Sequence, residues 1–311
     1  MNKLIHFLRL VRWPNLLFIL LAESLFHFFI FKPLYPNLAF TADYSFYFIV
    51  ATSICIAAAG YIINDYFDVN IDQVNKPKMV VVGAHISRRW VIFWHLMLSM
   101  GGVYLSLIAF PFQQYLHIHF SNLATILILW FYSTNFKRDF LIGNVVIAML
   151  TAWTIGVVYF SKFTLVQLVN PTQMHSADLK LFKLMLLYSS FAFILTLIRE
   201  ALKDMEDMDG DEKFGCTTMP IAWGLQTTKV YVAVWLMVLI LVLIFIQLYA
   251  IPFGWWMPVI YCIATIIVPL VYVLFKLKDS FSRTDFNRLS KWIKFAMLMG
   301  ILSMSFFYFL L

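Results

Sequence analysis

Residues 45–72 read SFYFIVATSICIAAAGYIINDYFDVNID, an uncharged apolar run that ends in Asn64, Asp65, Asp68 and Asp72. The nineteen residues from Ser45 to Ile63 carry no charge. At about 1.5 Å per residue, a helix of that length matches a hydrocarbon core of about 30 Å. The stretch predicts a spanning helix that delivers carboxylates to one membrane face.

Working outward, eight further apolar runs have the same character. With this one they lie near 14–31, 45–64, 90–110, 119–136, 142–160, 181–199, 229–249, 255–275 and 291–311. Backbone groups in lipid must bond within their own segment, so the runs predict helices. The short alternating segments of a membrane β-barrel are absent. The composition agrees: 62% of the 311 residues are hydrophobic, 13% are charged, and mean hydropathy is +0.84. Those values exclude an ordinary soluble domain and a disordered chain. The expectation is one all-α, multi-pass membrane domain over residues 1–311. Lys3, Arg9 and Arg12 precede a first run too long for a cleavable signal.

Lysine and arginine set the orientation. Numbering the connections alternately puts 19 of the 23 basic residues on one side, leaving Lys32, Lys162, Lys180 and Lys183 on the other. That split predicts a cytoplasmic N-terminus and an inner-membrane, multi-pass protein whose acidic segments face the cytoplasm. It also accounts for most of the net charge of +7, so nucleic acid is not an expected partner. Cys55, Cys216 and Cys262 are far apart and form neither a disulfide framework nor a thiolate metal site.

Ten of the sixteen acidic residues fall in two short segments. One is NDYFDVNID, Asn64 to Asp72. The other is REALKDMEDMDGDE from Arg199, with Glu200, Asp204, Glu206, Asp207, Asp209, Asp211 and Glu212. On a helix, residues 64, 68 and 72 share a face, and so do Glu200, Asp204, Asp207 and Asp211. Stacked carboxylates repel, most strongly beside a low-dielectric slab, so each stripe needs a compensating cation. Oxygen ligands suit Mg²⁺ or Mn²⁺, and Mg²⁺ binds through one or two carboxylates plus substrate phosphate. Two such stripes suit a diphosphate held through Mg²⁺. Solvated loop charges are the plainer alternative, but they leave the four-residue spacing and its duplication without a reason. A cation pathway needs carboxylates near mid-membrane, where only Glu23 stands. Glu23 faces an acceptor, acts as a base, or bonds to a neighbouring helix.

A membrane site for a diphosphate suggests an allylic prenyl donor. Its tail needs an apolar tunnel, and aromatic residues make up 18% of the chain. Neutralising the leaving diphosphate favours ionisation to an allylic cation, which aromatic faces stabilise and a dry site protects.

The string NDYFDVNIDQVNKP resembles the first aspartate-rich motif, NDxxDxxxD, of the UbiA superfamily of intramembrane prenyltransferases. The second acidic string resembles the second motif, with Asp207, Asp211 and the trailing Gly215, Thr217, Thr218 and Pro220. RLVRWPN, with Arg12 and Asn15, is similar to the opening segment of the family. YSTNFKRDFLIGN, with Tyr132, Lys137, Arg138 and Asn144, is similar to the segment after its fourth helix. The resemblance covers nearly the whole chain. It implies Mg²⁺ ligands at Asn64 and Asp68 and at Asp207 and Asp211, and catalytic carboxylates at Asp65, Asp72 and Asp204. It further implies Lys137 as both catalytic and substrate-binding, with Arg12, Arg138, Arg199 and Lys203 on the diphosphate and Asn15 and Lys76 as further substrate-binding residues. For these bases topology is the competing explanation, and for Asn15 an N-cap. One departure stands out: many members continue with Arg-Pro after NKPx, and here Met79 and Val80 follow Lys78. The motif form looks most like the ether-lipid, (di)geranylgeranylglyceryl phosphate synthase branch, which prenylates geranylgeranylglyceryl phosphate. Prenylation of an aromatic quinone precursor such as 4-hydroxybenzoate or dihydroxynaphthoate is the alternative. A transporter or scaffold is the reading from another class.

Overall fold

The computed structural model describes residues 3–36, 41–170 and 176–310; the last residue of the ninth expected span, Leu311, lies outside them. Among the described residues nine helices are long and apolar enough to cross a membrane. They are α1 (Trp13–Leu34), α2 (Tyr44–Phe67), α3 (Arg88–Ala109), α4 (Leu116–Thr134), α5 (Ile142–Phe160), α6 (Ser176–Lys213), α7 (Leu225–Phe253), α8 (Trp256–Lys278) and α9 (Arg283–Leu310). A short helix, Lys3–Leu10, precedes them. No strand is present among the described residues beyond an isolated bridge between Val82 and Ile86. Exposed apolar side chains such as Met100, Phe245 and Phe275 stand where lipid replaces water.

The chain forms two compact units, residues 1–137 with 153–186, and residues 138–152 with 187–311. In the first unit α2 packs chiefly against α3 and α4. At Gly102 a Cβ would stand 2.9 Å from Ile56, so α2 and α3 need a small residue at this crossing. Leu10, Val11, Ala58, Ile62, Val69, Val81, Val82 and Val91 form one apolar cluster that seats the N-terminal helix on the residues after the first acidic motif. Three histidines serve packing: His95 Nδ1 lies 3.0 Å from the Ala59 carbonyl and His119 Nδ1 3.0 Å from Ser106 Oγ, while His27 stacks on Phe46. Glu23 is fully buried on α1, with Ser53 as its polar neighbour and neither carboxylate oxygen in a hydrogen bond.

In the second unit α8 packs against α7 and α9 around a core that includes Leu236, Leu270, Val273, Ile293 and Ala296. The helix carrying the second acidic segment is longer than the hydropathy pattern indicates. At 38 residues α6 reaches about 57 Å, nearly twice the hydrocarbon thickness. The helix therefore continues past the apolar run that ends at 199 as far as Lys213, because good helix formers follow the last apolar turn.

Candidate active site

In the first unit the NDYFDVNID segment is not one uninterrupted helix. α2 ends at Phe67, Asp68 forms a bend, and a second helix runs Val69–Asn75. The amide ladder continues across the bend, from Asp68 N–H to the Asn64 carbonyl and from Asp72 N–H to the Asp68 carbonyl. The acidic side chains therefore stay together while the chain turns. Asp68 is 3% exposed and Asn64 7%. Asn64 Nδ2 donates to Asp68 Oδ2 at 2.7 Å, and Lys137 Nζ donates to the same oxygen. Lys137 arrives from a short turn, Phe136–Arg138, after α4.

Asp65 receives the Arg12 guanidinium at 2.5 Å, and Arg12 also lies over the Tyr61 ring. Arg12 is left-handed, φ 51° and ψ 52°, at the joint between the N-terminal helix and α1. A side chain in that region costs on the order of 1 kcal/mol or more, and such residues concentrate at functional sites. Asn15 N–H donates to the Arg12 carbonyl, which secures the joint.

The electrostatics tie these residues into one cluster. Burial raises the pKa of Asp72, and Asp68 and Asp65 raise it further against Lys137 and Arg12. Burial alone disfavours a charged Lys137, but Asp68, Tyr132 and Asp72 outweigh it and its pKa rises. Asp65 similarly raises that of Arg12. One group thus joins Arg12, Asn64, Asp65, Asp68, Asp72 and Lys137. Lys76 follows it, its N–H on the Asp72 carbonyl.

The second unit carries its motif on the continuous α6, so Glu200, Asp204, Asp207 and Asp211 share a helical face. Asn144 Nδ2 donates to Asp204 Oδ2 at 2.7 Å. Arg283 Nη2 approaches Asp207 Oδ1 at 3.4 Å, and Asn287 Nδ2 donates to Glu206 Oε1 at 2.7 Å. Arg199 and Lys203, expected on the diphosphate, both pair with Glu200. Asp211 sits where the helix stops. Gly215 has φ 71°, Cys216 N–H donates to the Asp211 carbonyl and Gly215 N–H to that of Glu212. This is the Schellman stop, which requires a left-handed residue, and glycine takes that conformation at no steric cost. Thr217 then donates through both N–H and Oγ1–H to the Arg138 carbonyl. Arg138 thus contributes backbone to this unit.

Among the described residues no three His, Cys, Asp or Glu side chains are grouped to hold a metal ion by themselves. Mg²⁺ does not ask for such a cage, because it keeps waters and takes phosphate oxygens. The donors in the first unit fit it: Asn64 Oδ1 is a buried acceptor with no hydrogen-bond partner, beside a carboxylate. Three further residues join the sites: Asn144, Arg283 and Asn287. Asn144 belongs to the segment quoted for its resemblance, which was its signal. Arg283 and Asn287 had none, being one among many loop cations and one polar residue at a helix start.

The sequence model of the UbiA prenyltransferase family matches residues 25–309. The digeranylgeranylglyceryl phosphate synthase of Sulfurisphaera tokodaii is 28% identical over 222 residues, 70% of this chain and 70% of that one. That of Methanothermobacter thermautotrophicus is 26% identical over 265 residues, 83% of each. Among solved structures, a chain from work on digeranylgeranylglyceryl phosphate synthase in membranes matches over all of both chains with a TM-score of 0.60 and 21% identity. A UbiA homologue from Archaeoglobus fulgidus bound to DMAPP and Mg²⁺ matches 94% of this chain and 98% of that one, with a TM-score of 0.56 and 16% identity. These structures share the fold.

Proposed function

Because the chain belongs to the UbiA prenyltransferase family, we propose that it moves a geranylgeranyl group from its diphosphate to geranylgeranylglyceryl phosphate, with Mg²⁺ as cofactor. The observation that carries the metal-dependent reading is the buried, unpartnered Asn64 Oδ1 beside the Asp68 carboxylate. Such an oxygen costs on the order of 1–3 kcal/mol unless something binds it. The A. fulgidus homologue's DMAPP and Mg²⁺ support the donor class and the metal. The relatives named digeranylgeranylglyceryl phosphate synthase support the acceptor. The family match spans both compact units, which supports one catalytic domain. The basic-residue asymmetry supports a cytoplasmic N-terminus and active end.

In the first unit Asn64 and Asp68 would hold Mg²⁺, and in the second Asp207 and Asp211 would do so; the bound ion would supply charge that neutralises a leaving diphosphate. Lys137 and Arg12, already paired with Asp68 and Asp65, turn toward phosphate oxygens through charge-assisted bonds. The bond from C1 of the prenyl group to its diphosphate oxygen breaks, and the electron pair leaves with the diphosphate. The acceptor hydroxyl oxygen bonds to C1 and loses its proton. Asp72 is the carboxylate proposed to receive it, because burial beside Asp68 and Asp65 raises its pKa. Asn144 fixes the orientation of Asp204.

The test is transfer from labelled geranylgeranyl diphosphate in purified membranes with Mg²⁺. Geranylgeranylglyceryl phosphate is supplied in one reaction, and 4-hydroxybenzoate or dihydroxynaphthoate in others. A labelled ether lipid is the expected product. A labelled aromatic product would keep the mechanism and replace the acceptor. Undiminished transfer in EDTA would remove Mg²⁺ from the account.

A further inference from the structure

We propose that Arg283 is the exchangeable counter-cation of the second aspartate motif. It neutralises Asp207 before Mg²⁺ arrives, and it binds the diphosphate once Mg²⁺ has taken that carboxylate. This inference rests on the prenyl-transfer reading above and extends it to a residue that the sequence pattern counts only as topological charge.

The first argument is an internal parallel. Each motif has an aspartate engaged by a basic side chain from a distant segment: Asp65 by Arg12 and Asp68 by Lys137 in the first, and Asp207 by Arg283, 76 residues away, in the second. Each unit therefore brings a cation of its own to its own carboxylates.

The second argument is how Arg283 is held. Its place does not depend on its bond to Asp207. Ser282 and Asp285 form a reciprocal capping box that starts α9 at Arg283. Lys229 Nζ donates to the Lys278 carbonyl at 3.2 Å and lies over the Phe281 ring at 3.6 Å, which closes the α8–α9 connection. One turn into α9, Asn287 bonds Glu206 at 2.7 Å. The backbone at Arg283 is thus set beside the second motif by contacts other than the Asp207 pair.

The third argument is the looseness of the pair. At 3.4 Å, with side-chain exposures of 41% and 17%, it lies beyond a good charge-assisted bond and is accessible to water, so it is weak and easily exchanged. A divalent ion on Asp207 repels the guanidinium but draws in a diphosphate, and arginine offers that group a planar fork of donors.

The experiment uses the full-length protein in detergent with two titrations. One is Mg²⁺ alone, read by thermal shift. The other is unreactive geranylgeranyl thiolodiphosphate at saturating Mg²⁺, read by calorimetry. For Arg283→Ala the two affinities move in opposite directions. The Mg²⁺ half-saturation falls about threefold, because an exposed competing cation is gone. The analogue Kd rises about tenfold, because a charged donor to phosphate is lost. Arg283→Gln, which keeps most of the side chain, follows the same signs should the alanine variant fold poorly. Arg283→Lys returns the Mg²⁺ half-saturation to the wild-type value and recovers analogue binding only in part. Both affinities weakening together, or neither changing, overturns the proposal. Failure of the wild-type protein itself to bind the analogue in a Mg²⁺-dependent way instead overturns the prenyl-transfer reading.

Discussion

Replacing Lys137 with alanine isolates the energetics of the first motif. Asp68 keeps 5% of its side chain exposed and Lys137 32%, so the substitution strands a nearly dry carboxylate whose one remaining side-chain donor shown here is Asn64 Nδ2. Breaking a buried pair from one side costs about 3–5 kcal/mol, and the exposure of Lys137 places this pair near about 3 kcal/mol. At about 2–4 °C per kcal/mol, the metal-free variant should melt about 6 °C or more below wild type. A divalent ion replaces the missing charge: at one hundred times its Kd, a ligand stabilises the folded state by about 2.7 kcal/mol, close to the whole deficit. The assay is thermal unfolding of purified protein in detergent, with EDTA or with Mg²⁺, for wild type, Lys137→Ala, Asp68→Asn and the double variant. The deficit of Lys137→Ala should be large in EDTA and small in Mg²⁺. Adding Asp68→Asn should recover most of it in EDTA, since no buried charge is then left. A double variant no more stable than Lys137→Ala would refute the charge-burial reasoning. A deficit of equal size in EDTA and Mg²⁺ would refute the link between this carboxylate and the metal.

Asp72→Asn should stabilise the protein at neutral pH while lowering transfer. A carboxylate whose folded pKa is raised destabilises the fold when ionised, and that penalty disappears as pH falls below the ordinary value of 3.8; equal denaturation midpoints for the two proteins at pH 7 would contradict this. Asn144→Ala releases Asp204 from its 2.7 Å bond and should lower transfer about 10–100-fold, the range for groups that orient a ligand; activity within twofold of wild type would leave Asn144 a packing residue. Gly300→Ala places a Cβ 2.2 Å from Phe191 Cε1 and should cost about 1–3 kcal/mol through overpacking. Phe191→Leu should relieve much of that cost in the double variant, and simple additivity of the two melting shifts would exclude a direct clash. Asp68→Ala and Asp207→Ala should each abolish transfer while the protein still inserts in membranes, as measured on membrane fractions.

Local chemistry made much of this protein legible. Nine predominantly apolar runs of spanning length specify helices, and nine such helices stand among the described residues, because a bilayer penalises every unbonded backbone group wherever the run occurs. Asn64, Asp68, Asp207 and Asp211 stand out because carboxylates at four-residue spacing beside an apolar run need a cation, and that need does not depend on how the helices later pack. Even Gly215, inside the quoted motif ending, carries its reason locally, in the left-handed stop of α6.

Other features follow from packing between segments far apart in the chain. The bend at Asp68 keeps Asp65, Asp68 and Asp72 in one group where an unbroken helix was expected. α6 runs on to Lys213, well past the apolar run that ends at 199. Arg199 and Lys203 end on Glu200, whereas Arg283 reaches Asp207 and Asn144 reaches Asp204 across 76 and 60 residues. Hydropathy and spacing depend on neighbours within a few turns, so they mark which carboxylates need partners. Which cation or amide meets each one depends on where the remaining helices bury their apolar faces, and that is settled by the assembled fold.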